Sequence, residues 1–239
     1  MNRSYFYLLL LCLLAIITYL DRVCISVAGP RMQDALHIAP EQWGWVGSVF
    51  LLGYALFEIP SGHLGDRLGA RRVLTRIVLW WSAFTVFTGA ISAYPLLLVV
   101  RFLFGAGEAG AFPNASVAIA NWFPPATRGR AFGFFIMSSQ IGGALSPLLV
   151  LPIQQHFGWR ASFYVFGSIG VLWSIVWFWR FRDHASEAQR ASAARHAPWR
   201  PILANRSLWA IMALAFSYVY SMSFYQTWFH TYLVKGRAQ

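Results

Sequence analysis

Charge is scarce in this sequence, and its scarcity excludes a water-soluble globule. Charged residues make up 11% of the 239 residues, whereas a soluble globular domain carries roughly 25%. Hydrophobic residues account for 58%. Apolar runs of about 20 residues recur, and each is long enough to cross a hydrocarbon core of about 30 Å. The chain is therefore predicted to be an all-α, polytopic membrane protein that lies in the lipid bilayer.

Cysteine is nearly absent too, and this removes further classes of site. Cys12 and Cys24 lie in the first apolar run, too far apart on one helix to form a disulfide and without the spacing of metal ligands. No nucleophile–base pair and no phosphate-binding glycine loop is found, so we expect no enzyme activity, no cofactor and no metal. The net charge of +11 does not indicate nucleic acid, because most basic residues lie in short loops between apolar runs.

Seven membrane spans are predicted from the apolar runs. Their approximate ranges are 5–28, 43–61, 73–93, 96–122, 131–153, 162–181 and 208–234. Short connections join the first six, and a longer stretch rich in arginine, alanine and serine precedes the seventh. Residues 1–181 are thus expected to form a six-helix bundle, 182–207 a cytoplasmic linker, and 208–239 the seventh helix and C-terminal end of an incomplete second bundle.

The distribution of arginine predicts the orientation. Most arginines fall in the loops on the side of the N-terminus, and cytoplasmic loops keep the excess of lysine and arginine. The first run is longer than the apolar region of about 7–15 residues in a cleaved signal, so we expect it to be retained. The prediction is a multi-pass protein of the plasma membrane, a bacterial inner membrane, with a cytoplasmic N-terminus.

The loop after the second span reads GHLGDRLGARR. Its glycines predict a tight, closely packed turn. The pattern G-x-L-x-D-R-x-G-x-R-R resembles the signature between the second and third helices of the major facilitator superfamily. The resemblance implies a loop that takes part in the conformational switch of a transporter, through Gly62, Asp66, Arg67, Gly69, Arg71 and Arg72.

The fourth span and its loop, RFLFGAGEAGAFPNASVAIANWFPPATRGRA, carry a second signature. This segment is similar to the anion:cation symporter branch of that superfamily, which includes hexuronate, galactonate and phthalate-type permeases. With YLDR in the first span, the resemblance covers essentially the whole chain. It implies an N-terminal six-helix bundle of two inverted three-helix repeats plus one further helix, truncated relative to twelve, and proton-coupled symport of a small organic anion such as a sugar acid.

Four ionisable residues lie inside apolar spans: Asp21, Arg22, Arg101 and Glu108. Such residues are costly in a membrane and mark functional positions by default. Arg101 and Glu108 are seven residues apart, hence on one helical face. If the first and fourth spans face one cavity, the four side chains form a mixed-charge cluster. The alternative is a purely structural ion pair between helices.

Roles follow from the same cluster and from the resemblance. Burial favours the protonated form of a carboxylic acid, and a nearby arginine favours the charged form. A substrate anion that binds the arginine removes this stabilisation of the charged carboxylate. Anion binding and protonation of the carboxylate therefore become linked. We expect Asp21 and Glu108 to serve proton coupling, and the substrate-binding residues to be Tyr19, Arg22, Tyr54, Arg101 and Gln140.

One departure from the superfamily leaves alternatives open. Its members hold substrate between two six-helix halves near the midplane, and only one half plus one helix is present in this sequence. The sequence is either a fragment, or a half-transporter whose second half comes from a separate chain, or the subunit of a homodimer. A truncated membrane protein that does not transport is the alternative function.

Overall fold

The computed structural model describes residues 3–183 and 199–233. Within them the helices are α1 (Arg3–Leu36), α2 (Pro40–Leu68), α3 (Ala70–Ala90), α4 (Tyr94–Glu108), α5 (Ala111–Trp122), α6 (Pro125–Phe157), α7 (Trp159–Arg180), α8 (Trp199–Ala204) and α9 (Arg206–Thr231). Seven candidate membrane spans result, with α4 and α5 together forming the fourth. The all-α class and the seven predicted spans are confirmed.

The first six spans pack in pairs. The most extensive contacts join α1 to α6, α3 to α7, and α2 to α4. In span numbers, these pairs are spans one and five, spans three and six, and spans two and four. If spans one to three and spans four to six are related repeats, exchanging the repeats turns the pair of spans one and five into the pair of spans four and two. The pair of spans three and six stays the same. The observed pairing is therefore what two inverted three-helix repeats require.

Two clusters of buried apolar side chains hold the bundle together. One contains Ile17, Trp81 and Trp177. The other contains Leu20 and Trp43. The first span passes from the first cluster to the second between Ile17 and Leu20. Asp21 and Arg22 follow at once, so the charged residues lie at the junction of the two clusters.

Close backbone contact fixes the crossing of α2 and α4. A Cβ atom on Gly105 would overlap the carbonyl oxygen of Phe50, and one on Gly53 would overlap that of Phe102. Small residues at such crossings let membrane helices approach closely. The crossing brings Phe50 of α2 against Arg101 and Phe104 of α4.

The fourth span is discontinuous, which the sequence prediction of one continuous helix for 96–122 missed. Pro113 lacks the N–H that would bond the carbonyl of Ala109, and its ring would clash with that carbonyl in a regular helix. Gly110 adopts the left-handed conformation with φ of 86°. The helix therefore ends at Glu108 and restarts at Ala111.

The seventh span, α9, packs against α1. Its described side chains are exposed, apart from Leu208, Met222, Ser223 and Trp228, which are partly buried. Trp228 packs on the cluster that contains Trp43. The predicted linker, 182–207, overlaps α8. Residues 184–198 of this linker lie outside the described residues, and so does the predicted end of the seventh span at 234.

Candidate functional site

An ion pair joins the first and fourth spans. Arg22 Nε donates a hydrogen bond of 2.8 Å to Glu108 Oε1. The exposed fractions of the two side chains in this salt bridge are 17% and 0%. The break after Glu108 makes it the last residue of α4. Two members of the predicted mixed-charge cluster are thus in direct contact, at the point where the span is interrupted.

Aromatic rings surround the Arg22 guanidinium. Its carbon lies 4.7 Å from the ring centre of Tyr54, 5.4 Å from that of Phe50 and 5.5 Å from that of Tyr19. Tyr19 lies one turn before Arg22 on α1, which places both on a similar face. Cation–π contacts of this kind stabilise a guanidinium away from water. Both predicted tyrosines therefore lie at the predicted arginine.

Arg101 also lies against the Phe50 ring. Its side chain is 4% exposed, and its guanidinium carbon is 4.8 Å from the Phe50 ring centre and 4.7 Å from that of Phe104. Phe50 is therefore shared by two guanidinium groups. Sequence reasoning missed Phe50, because an aromatic residue in an apolar span carries no signal that separates a site wall from ordinary packing.

Asp21 points away from its neighbour Arg22, as the turn of about 100° per residue requires. It is 2% exposed and interacts electrostatically with Glu108 and Arg101. It also faces Trp81 of α3. Neither Asp21 carboxylate oxygen has a hydrogen-bond partner among the described residues. The second predicted carboxylate is thus deeply buried beside the Trp81 side chain.

Several polar atoms of the cluster lack partners within the described part of the chain. They are Arg22 Nη2, Arg101 Nε and Glu108 Oε2. Buried polar groups in proteins are nearly always hydrogen-bonded to protein, water or ligand. The free donors on both arginines therefore indicate where an anion can bind.

A cavity of about 60 Å³ opens beside these groups. Arg22 and Ser26 of α1, Phe50 of α2, Arg101 of α4 and Ser223 of α9 are among the residues that line it. The seventh span therefore contributes one wall. The cavity combines two arginines, two hydroxyl groups and aromatic surface, a set suited to a small organic anion.

Gln140 is a predicted substrate-binding residue outside the ion-pair and cation–π contacts described above. Its side chain is exposed, and its Nε2 is 3.4 Å from Ser139 Oγ. It lies one turn before Gly143, where an added Cβ would be 3.5 Å from the Tyr19 ring. Gln140 thus lies near the tyrosine side of the site without touching the arginines.

The glycines of the predicted loop behave differently from the expectation of one tight turn. α2 continues to Leu68, so Gly62 lies inside the helix. A Cβ there would be 3.3 Å from Pro113 of α5, which makes Gly62 a packing position. Only Gly69 forms the turn, with φ of 85°. The turn is closely packed, but the apolar run that predicted the second span ends at 61 and carries no sign that α2 extends to Leu68.

Asp183 supplies a contact that sequence reasoning missed. Its Oδ1 accepts a hydrogen bond of 3.2 Å from the Arg71 main-chain N–H, at the start of α3, where carboxylates are favourable. Burial raises the pKa of Asp183, and hydrogen bonds from Arg71 and Ala70 oppose that rise. Of the other predicted loop residues, Asp66, Arg67 and Arg72 are exposed. They line an adjacent cavity together with Arg71 and Asp183.

The chain is similar to several proteins that are named as transporters. It is 35% identical to a probable sulfoacetate transporter of Cupriavidus necator over 244 residues, covering 95% of this chain and 56% of that protein. It is 32% identical to a hexuronate transporter of Bacillus subtilis, with 96% and 56% covered. It is 34% identical to a probable L-galactonate transporter of Escherichia coli, with 95% and 53% covered. The chain spans about half the length of the curated relatives it matches.

The fold has a counterpart among solved structures. A bacterial homologue of the human lysosomal transporter Spinster, in an inward-facing and unoccupied conformation, superposes with a TM-score of 0.78 at 24% identity. The match covers 97% of this chain and 56% of that one. The profile of the Major Facilitator Superfamily matches residues 11–238. The chain belongs to the Major Facilitator Superfamily of membrane transporters.

Proposed function

We propose that this chain is part of a secondary active transporter that carries a small organic anion, a sugar acid or another carboxylate, together with protons. The observation that carries the proposal is the Arg22–Glu108 pair, which lies beside a cavity that Arg101 also lines. The names of the relatives, which include sulfoacetate, hexuronate and galactonate transporters, support the class of substrate.

The geometry supports a linkage between anion and proton. A substrate carboxylate that binds Arg22 competes with Glu108 for the same guanidinium. Glu108 is fully buried, so without its positive partner its charged form is disfavoured. Protonation of Glu108 then accompanies anion binding, and release of the anion restores the ion pair. Asp21, buried and electrostatically coupled to Glu108, is the second proton-binding group.

Substrate entry requires the cavity to widen. Its volume of about 60 Å³ holds a few water molecules, whereas sites for small molecules occupy roughly 300–1,000 Å³. α9 contributes Ser223 to one wall, and most of its described side chains are exposed. We infer that displacement of α9 relative to α1 opens the site.

Uptake into vesicles tests this function. The chain is reconstituted and an inward proton gradient is applied with labelled galactonate, glucuronate or sulfoacetate. We expect uptake of at least one of these anions and none of the neutral sugar glucose. The variant Arg101→Gln lacks the second guanidinium of the cavity and is expected to take up less anion than the wild-type chain. Equal uptake of glucose and the anions would contradict the proposal.

A second candidate is a half-transporter that works only with helices from a separate chain. The exposure of α9 favours it, because a helix that lines a cavity on one face would normally be covered on others. In this case the inserted and folded chain alone binds the anion without moving it. Anion binding with no uptake would support this candidate, and uptake by the chain alone would exclude it.

A further inference from the structure

A second cavity lies at the end of the bundle where α1 begins and α7 ends. Its volume is about 560 Å³, and it is lined by Arg3, Phe6, Tyr7, Trp179, Arg180 and Arg182. We call it the terminal cavity. It is separate from the Arg22–Glu108 site, and no lining residue is shared between the two.

The described lining of the terminal cavity carries only positive charge. Its three arginines are exposed, and no aspartate or glutamate of residues 3–183 or 199–233 lines it. No carboxylate in the described part of the chain forms a salt bridge with them. A neighbouring cavity of about 740 Å³ differs, because there Asp66 and Asp183 accompany the arginines. The neighbouring cavity, which shares Arg182, also has more arginines than aspartates, but in the terminal cavity every charged residue of the described lining is an arginine.

The main chain that carries these arginines is fixed by groups other than the guanidiniums. The Tyr7 hydroxyl donates a hydrogen bond of 3.1 Å to the carbonyl of Arg180. Trp122 Nε1 donates one of 3.1 Å to the carbonyl of Arg182. The backbones of Arg180 and Arg182 are therefore held in place while their side chains stay available to a ligand.

The position of the terminal cavity indicates a ligand from the membrane. It lies at the ends of two spans, and Trp179, in the last turn of α7, is 77% exposed. Tryptophan is enriched at the level of lipid headgroups. Arginine binds phosphate through paired N–H donors. Basic pockets between membrane helices at this depth suit phosphate headgroups of lipids.

We propose that the terminal cavity binds the phosphate headgroup of an anionic phospholipid. The guanidiniums of Arg3, Arg180 and Arg182 surround the phosphate, and the acyl chains run along the apolar surface beside Trp179. A lipid is favoured over soluble phosphate because the aromatic residues of the wall add apolar contact that phosphate alone cannot use. Nothing in this proposal depends on transport by the other site.

Native mass spectrometry of the full chain in neutral detergent tests the proposal. Phosphatidylglycerol, phosphatidylcholine and inorganic phosphate are titrated separately. We expect phosphatidylglycerol to bind at least about tenfold more tightly than phosphatidylcholine, since each arginine near a lipid surface contributes roughly fivefold. The variant Arg3→Gln/Arg180→Gln/Arg182→Gln is expected to lose the preference, because it removes all three charges and spares the two carbonyl hydrogen bonds.

The control removes the same charge elsewhere. Arg130→Gln/Arg200→Gln/Arg206→Gln changes three other exposed arginines and is expected to keep the preference. Equal loss in both triple variants would overturn the proposal, since general surface charge would then explain binding. An unchanged preference in the first variant, or equally tight binding of inorganic phosphate, would overturn it too. If the first variant does not fold, Arg3→Gln and Arg180→Gln are measured singly, and each must weaken phosphatidylglycerol binding by roughly fivefold.

Discussion

At the scale of single residues, the shape of Arg22 matters as much as its charge. Its Nε donates to Glu108 while its guanidinium carbon lies over the Tyr54 ring. Lysine keeps the charge but offers a single ammonium group, which cannot do both. We predict that Arg22→Lys lowers anion uptake about tenfold or more, measured as initial rate in vesicles. Arg130→Lys, at an exposed position, is the control, and wild-type uptake by Arg22→Lys would contradict this role.

Single residues also show how far the sequence could predict the site. Asp21, Arg22, Arg101 and Glu108 stand out because charge inside an apolar span is costly, and the structure brings them to one region. Phe50 could not be recognised, since its role depends on the crossing of α2 and α4. Asp183 was equally hidden, because its partner at the start of α3 is far away in sequence.

At the scale of helices, the crossing of α2 and α4 depends on Gly105. A Cβ there would overlap the Phe50 carbonyl oxygen, so the helices must separate. We predict that Gly105→Ala destabilises the folded chain by about 1–3 kcal/mol, the usual cost of overpacking. Thermal unfolding in detergent measures it. Gly133→Ala is the control because nothing lies within 4 Å of its added Cβ. Equal melting temperatures for the two variants would contradict this packing.

The break in the fourth span gives a second prediction for this scale. Pro113→Ala restores an N–H for the Ala109 carbonyl and relieves the ring clash. We expect the span to straighten and Glu108 to shift from Arg22, so that uptake falls about tenfold or more while the melting temperature is kept or raised.

Pro95→Ala serves as the control for that prediction. Pro95 lies in the first turn of α4, where a missing N–H costs little, so uptake should be unaffected. Wild-type uptake by Pro113→Ala would show that the break is irrelevant to the site. The break could have been predicted from the glycine and proline of GEAGAFP. It was missed because the apolar run is long enough to be read as one continuous span.

At the scale of the whole molecule, the distribution of arginine predicts the orientation. We expect a cysteine introduced by Gly129→Cys to face the cytoplasm and one introduced by Glu41→Cys to face outward. A membrane-impermeant maleimide on intact cells should label the second variant alone, and label the first only after lysis. The unmodified chain corrects for Cys12 and Cys24, and the reverse pattern would contradict the predicted topology.

The number of spans follows from apolar length and is seen in the structure. The contacts among the first six spans agree with the repeats that the resemblance to the superfamily implies. The placement of α9 against α1 could not be predicted, because a long polar stretch separates it from the bundle. Contact between distant helices depends on their surfaces, which apolar length does not describe.

The central claim is that Glu108 links the anion to a proton. Reconstituted vesicles with an internal pH indicator report proton entry when galactonate, or another anion that is taken up, is added outside. We predict acidification with the wild-type chain and none with Glu108→Gln, whereas Glu41→Gln, at an exposed position, behaves as wild type. Anion-driven acidification by Glu108→Gln equal to that of the wild type would contradict the account.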